Sequence, residues 1–275
     1  MGSNLLTHGK GYISFESKDE KTYLKDLYQE NPVKILFPKK LSNEIITAAF
    51  VTTSGGIVGG DKLDIIVKTC KKSEVQLYQQ AAEKVYKNHK KPSIINISLT
   101  SEEGSWLEWL PQETILFENS NYIKKNSLHV NTNGRLMVGE MLFLGRHAMG
   151  EINTKGTIRE IWEIFFDDRL IWLDNFYIDD MDYIVKHPAG LNGANAFASI
   201  VYTSANVINH IDEARKIINE FKNIRIGITV IDNVFICKML SCDQYLLRKY
   251  YGIIWAKFRK LFGNYQATLP RLWYV

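Results

Sequence analysis

From Leu63 to Thr203 the chain returns repeatedly to a two-residue hydrophobic period, and nothing with a helical period separates the repeats. In "LDIIVKT", Leu63, Ile65 and Val67 fall on one face, as in a half-buried strand. "SIINISLT" follows Lys91-Pro92, and "SLHVNT" runs into Asn133-Gly134, a tight-turn dipeptide. "TIREIWEIFFDDRLIWLDNFYI" reads as a long hairpin turning at Asp167-Asp168-Arg169, its flanks dense in Ile, Trp and Phe. "AFASIVYTS" continues the pattern, as does the pair "IRIGITVID" and "VFICKMLS" joined across Asp232-Asn233. A doubly wound parallel sheet needs a helix between successive strands, so this pattern disfavours it.

Helical spacing appears only late. In "HIDEARKIINEFKN", Ile211, Ala214, Ile218 and Phe221 share a face, with Asp212 and Glu213 in the first turn. In "CDQYLLRKYYGIIWAKFRKLFG", Leu246, Leu247, Tyr250, Ile254, Phe258 and Leu261 recur at helical spacing, and Gly263 is the natural stop. The expected fold is mainly β (a β-rich α+β chain). Stacked antiparallel or mixed strands form one elongated domain over residues 1–275, with two helices in the C-terminal part. No internal repeat or linker-like tract is visible.

Composition removes several function classes. A formal charge of +4 over 275 residues, with scattered cations, does not make a nucleic-acid groove. Three cysteines, Cys70, Cys237 and Cys242, give no disulfide framework and favour a reducing compartment. The N-terminal stretch has no apolar run behind a basic start, and no apolar window reaches membrane-spanning length, so a cytoplasmic location is expected.

The stretch "TSGGIVGGDKLDIIV" raises the question of phosphate binding. Gly55 and Gly60 have P-loop separation, but Asp61 stands where the lysine belongs and Leu63 where a magnesium-binding hydroxyl is needed. A carboxylate aimed at phosphate oxygens is electrostatically wrong, and the segment that follows alternates as a strand rather than opening a helix. Ile57 also breaks the dinucleotide spacing. The glycines are instead expected to permit a tight strand-to-strand turn. Asp61 then either caps amides of that turn or is presented to a cation or partner.

In order and spacing, "SGGIVGGDKL", "QLYQQAAEKVYK", "SWLEWLPQETILFENSNY" and "MLFLGRHAMGE" together resemble the UreD (UreH) family of urease accessory proteins. Gly55, Gly56, Gly59, Gly60 and Asp61 match the family's signature loop, with Thr53 and Ser54 where prolines are usual, and Gln79 and Glu83 replace two threonines of the next block. The resemblance runs from about residue 35 to the end, including "LPRLW"; residues 1–30 form an N-terminal segment outside it. It implies a β-rich fold and a non-catalytic scaffold that joins UreF and the GTPase UreG to apo-urease. Nickel and carbon dioxide then reach the urease active site, coupled to GTP hydrolysis by UreG. A water-filled polar passage for nickel is a further implication, as is a hetero-oligomeric assembly with no nucleic acid or membrane partner.

A cation in transit requires weakly held oxygen ligands, because a thiolate or imidazole cage would trap it. His8, His89, His129, His147, His187 and His210 are isolated along the chain and no Cys-x-x-Cys occurs, so no tight metal site and no tightly bound cofactor are expected. Candidates along a nickel passage are Asp61, Glu140, Glu151 and His147; ion pairs of the two glutamates with Arg135 or Arg146 are the competing reading. Candidates for a partner interface are Lys84, Tyr86, Tyr251, Trp255 and Trp273, the competing reading for the tryptophans being core packing. A hydrolase would have to use Glu102/Glu103 or Asp167/Asp168, pairs that sit in turns with adjacent side chains pointing apart; no catalytic residue is assigned. A generic β-rich binding module is the remaining alternative.

Overall fold

The computed structural model describes residues 6–39, 44–88, 91–151 and 155–274, so His89 lies outside the described residues. The alternating segments build two sheets stacked face to face. The first holds seven strands: β1 (His8–Lys18), β2 (Lys21–Glu30), β5 (Lys62–Thr69), β8 (Ser93–Ser101), β11 (Ser120–Val130), β13 (Gly156–Phe166) and β14 (Arg169–Ile178), in the order β14-β13-β11-β8-β5-β1-β2. The second contains β3 (Val33–Leu36), β4 (Ile46–Thr52), β6 (Glu74–Gln79), β9 (Trp106–Leu110), β12 (Arg135–Leu144), β15 (Ala196–Thr203), β16 (Arg225–Ile231) and β17 (Val234–Ser241). Its order is β16-β17-β15-β12-β9-β6-β4-β3, with β7 (Glu83–Val85) and β10 (Thr114–Leu116) attached through β12.

Each sheet is mixed, the second of the two expected arrangements: the edges are antiparallel, while in the interior β1-β5-β8-β11-β13 and β4-β6-β9-β12 all run the same way within their sheet. Parallel neighbours need a long crossover, usually a helix. Here the crossover is a strand of the opposite sheet, so the chain winds as a solenoid. The Asn133-Gly134 turn thus changes sheet rather than making a hairpin. Residues 70–73, 102–105 and 131–134 are equivalent turns of four residues, each passing from the first sheet to the second. They stack through backbone bonds such as Lys72 N to Glu103 O and Arg135 N to Ser105 O. This structural repeat leaves little trace in residue identity, Ser73 and Ser105 being the one match among the three turns. The antiparallel hairpins expected at Asp167 and Asp232 do form, β13 with β14 and β16 with β17, and both aspartates have positive φ.

One core fills the space between the sheets, and a second lies between the outer face of the second sheet and two helices. With α1 (Met181–Lys186) numbered first, these are α2 (Ile211–Ile218) and α3 (Gln244–Gly263). The six-residue α1 was too short to register as a helical period; Asp180 caps it, accepting from Tyr183 N. The side chain of Asp243 caps α3 in the same way, at 2.9 Å from Leu246 N. Gly263 is the last helical residue rather than the stop, and Asn264 adopts the left-handed conformation that ends the helix. No helix among the described residues is long and apolar enough to cross a membrane. The three cysteines are all free thiols.

Candidate functional site

The glycine loop connects β4 to β5 and is clamped on β7. Ile57 is buried and bridges Val85, and Gly56 and Gly60 have positive φ. A Cβ at Gly56 would lie 2.6 Å from the Lys84 carbonyl oxygen. Tyr86 closes the other side, its hydroxyl donating to Gly55 O at 3.0 Å. Lys84 and Tyr86, two of the interface candidates, therefore brace the loop, although Lys84 still exposes its side chain. Asp61 is buried and turned inward: Thr7 N donates to Oδ1 at 2.9 Å and Val58 N to Oδ2 at 3.0 Å. With both oxygens occupied by amides, Asp61 is a loop cap, and a strand rather than a helix leads away from it.

The other passage candidates do not converge on Asp61. Glu151 pairs with Arg146, as the competing reading held, and accepts from Glu118 N at 2.7 Å. His147 stands on the short 3-10 turn after β12, its Nδ1 3.3 Å from the Asn195 side-chain amide and its Nε2 buried without a partner among the described residues. Glu140 makes no pair with Arg135 or Arg146; it lies between the sheets, paired with the equally buried Lys124 and 3.3 Å from Thr114 Oγ1.

Around Glu140 the structure assembles a buried polar cluster. Glu83 comes from β7, Thr114 from β10, Tyr122, Lys124 and Asn126 from β11, and Glu160 from β13, each no more than 4% exposed. Among the described residues three buried carboxylates thus surround the one buried ammonium, that of Lys124, and the more exposed Lys238 also acts on Glu160. Thr52 donates to Glu83 at 2.8 Å and Trp162 Nε1 to Glu160 at 2.8 Å. Among the described residues the Asn126 amide nitrogen has no hydrogen-bond partner. Burial raises the carboxyls of Glu83 and Glu140, with Lys124 opposing the shift in both. Glu160 is raised to about 7 by burial and then by the charge of Glu140. The sequence carried a signal for this cluster. Tyr122, Lys124 and Asn126 share the face of β11 that buries Leu128 and Val130, and Glu160 shares that of Ile158, Trp162 and Ile164.

The cluster is oxygen-rich and contains neither imidazole nor thiolate. Among the described residues no three His, Cys, Asp or Glu side chains converge tightly enough to hold a metal ion. The raised Glu160 carboxyl also has a consequence for stability. Folding favours its protonated form, so its contribution is greatest below the unfolded value of 4.5, falls as pH rises toward 7 and then levels off. Glu160→Gln keeps the acceptor for Trp162 and removes the ionisable group. The unfolding free energy of this variant, read from urea titrations, is expected to match the wild type at pH 4.5 and below and to exceed it at about pH 8 by an amount on the order of 3 kcal/mol. Coincident values at the higher pH would refute the buried-charge account.

Of the two carboxylate pairs of the hydrolase alternative, Glu102, Glu103 and Asp167 line one open cavity of about 450 Å³ on the stacked turns. Glu103 is exposed and bound to Lys71 at 2.8 Å, and Asp167 accepts from Thr132 N at 2.7 Å. The aromatic interface candidates face inward. Tyr251 and Trp255 are fully buried against the second sheet, and Trp273 packs on its own domain, donating from Nε1 to Pro111 O at 3.3 Å. What α3 shows to solvent is a groove of about 500 Å³ lined by Tyr245, Arg248, Lys249, Ile253, Lys257 and Tyr274, among others.

Residues 7–274 match the family model described as UreD urease accessory protein, so the match reaches back into the N-terminal segment. A protein of Magnetococcus marinus named "Urease accessory protein UreD" is 33% identical over 266 residues, covering 95% of this chain and 92% of that one. Proteins of the same name from Polynucleobacter asymbioticus and a Nostoc strain are 32% and 27% identical, covering 95% and 97% of this chain and 91% and 95% of theirs.

Proposed function

This chain belongs to the UreD urease accessory protein family, and we propose that it works in urease maturation as a non-catalytic scaffold joining apo-urease to UreF and the GTPase UreG. The observation that carries this reading is the family match over residues 7–274. Its interior gives the reading a physical basis for nickel insertion. A passing Ni(II) would meet the carboxylates of Glu83, Glu140 and Glu160 and the oxygens of Thr114 and Tyr122, ligands weak enough to release it. Asp61 would shape the loop beside β7 rather than ligate. The outer groove of α3 supports UreF docking better than Tyr251, Trp255 and Trp273 do, because its exposed Tyr245, Ile253 and Tyr274 combine apolar area with a cationic rim.

Reconstitution tests the proposal: purified apo-urease, UreF, UreG, nickel, bicarbonate and GTP, with and without this chain. Urease activity is expected only when the chain is present, and Ile253→Asp is expected to reduce capture of UreF while the chain stays folded. Equal activation in its absence would overturn the reading.

A further inference from the structure

β2 is the outer edge of the seven-stranded sheet, and among the described residues it pairs only with β1. Open edges recruit other strands, and natural ones are guarded by charge, bulges or short length; β2 carries charges and a bulge but is not short. This one is ten residues long, "KTYLKDLYQE", and exposes four large apolar side chains: Tyr23 at 47%, Leu24 at 40%, Leu27 at 42% and Tyr28 at 54%.

Read from its two ends, the strand is complementary to itself. Lys21 answers Glu30, Thr22 answers Gln29, Tyr23 answers Tyr28, Leu24 answers Leu27 and Lys25 answers Asp26. A second β2 laid antiparallel about a two-fold axis between Lys25 and Asp26 would place every residue opposite its counterpart. Cross-strand pairs of opposite charge, of aromatics and of aliphatics are the pairs that stabilise sheets. An isologous dimer demands self-complementarity of this kind.

The backbone meets a stricter condition. In a regular strand, pairing Lys21 with Glu30 would set an odd residue against an even one, on opposite faces of the sheet. β2 is not regular: its register with β1 slips between Ser14, opposite Asp26, and Phe15, opposite Leu24, which leaves Lys25 as an extra residue. The bulge resets the alternation. Lys21, Tyr23, Asp26, Tyr28 and Glu30 oppose Lys18, Glu16, Ser14, Tyr12 and Lys10 on one face, while Thr22, Leu24, Leu27 and Gln29 oppose Ser17, Phe15, Ile13 and Gly11 on the other. Four of the five pairs of the two-fold arrangement then share a face, Lys21 with Glu30 and Tyr23 with Tyr28 outward, Thr22 with Gln29 and Leu24 with Leu27 inward, and the fifth, Lys25 with Asp26, lies at the bulge itself.

We propose that β2 is a self-recognition edge, through which two copies of this chain pair antiparallel along Lys21–Glu30 and join their seven-stranded sheets into one. The occupant is a second copy because sequence, charge and bulge agree on it; a strand of unrelated sequence would match none of the three.

Charge exchange on the full chain tests this by sedimentation equilibrium. Lys25→Asp sets two carboxylates against two from the partner, and Asp26→Lys sets two ammoniums against two. Each change acts twice per dimer, so each variant alone is expected to weaken association roughly tenfold or more. Mixing the two variants is expected to restore a dimer containing one copy of each, and Lys25→Asp/Asp26→Lys in one chain is expected to self-associate again. Asp26 also accepts from the Ser14 hydroxyl at 2.8 Å. If circular dichroism shows that its variant fails to fold, Lys21→Glu mixed with Glu30→Lys makes the same test at the strand ends. A wild-type chain that stays monomeric through the micromolar range overturns the proposal. So does a dimer indifferent to all these changes, or one that the mixtures fail to restore, since either would place the contact, or its occupant, elsewhere.

Discussion

Glu108→Ala is expected to destabilise the chain by about 3–5 kcal/mol, a large fraction of what a domain typically has. Glu108 is fully buried on β9, beneath α3. Trp106 Nε1 and Arg259 Nε donate to its Oε1, each at 2.7 Å, while Gln76 Nε2 at 2.8 Å and Trp255 Nε1 at 3.3 Å donate to Oε2. One carboxylate therefore gathers donors from β6, β9 and α3. Arg259 is as deeply buried; its other contacts are the Gln266 carbonyl at 2.8 Å and the Tyr265 ring at 5.1 Å. Alanine would leave a guanidinium in the core without its counter-charge and two indole N–H groups unpaired, and the cost lies in those orphans more than in the lost attraction. Glu108→Leu combined with Arg259→Met removes both charges and is expected to recover much of the loss. Urea denaturation followed by tryptophan fluorescence reads both variants. If the double variant proves no more stable than Glu108→Ala, the orphaned charge is not the cause.

How far such a structure can be read from its sequence depends on whether the governing contact is local. The hairpin turns at Asp167 and Asp232, the one-sided burial of Leu63, Ile65 and Val67, and the onset of both long helices follow from neighbours in the chain, and all are observed. The parallel arrangement does not. A turn such as Asn131–Gly134 has the same local chemistry whether the next strand returns to its own sheet or crosses to the other, and only the registers of β8, β11 and β12 decide it. The polar cluster falls between these cases. Lys124 and Glu160 on core-facing positions were visible as breaks in the alternation, but their meeting with Glu83 and Glu140 joins strands distant in sequence. The aromatics of α3 looked available because they surround the helix. Two sides of that helix are covered, by the second sheet and by the segment ending in Trp273, which leaves Tyr245 and Ile253 as its exposed large apolar side chains.

Gly139→Ala is expected to be the second most damaging single change, and its rescue identifies the reason. Gly139 lies mid-strand on β12, where α3 crosses the second sheet. A Cβ built there would sit 1.7 Å from the Tyr251 hydroxyl oxygen and 2.9 Å from both the Tyr251 Cζ and a ring carbon of Trp255. Both rings are fully buried and lie tilted against each other at 33° with centroids 5.9 Å apart, so neither can rotate out of the way. Inserting a methyl into so tight a contact forces α3 off its seat, at a cost of about 1–3 kcal/mol or more. The Tyr251 hydroxyl has no hydrogen-bond partner, so Tyr251→Phe alone removes a buried, unsatisfied group and is expected to be neutral or stabilising. In the double variant the closest approach disappears with the oxygen and the remaining 2.9 Å contacts need only a small shift of the helix. The two changes should therefore be strongly non-additive, with Gly139→Ala much less costly in the Tyr251→Phe background. Thermal unfolding of the four proteins of this cycle measures the coupling. Additive effects would mean that Gly139 is required for its backbone rather than for the space above it, and that the helix is seated by the Glu108 network alone.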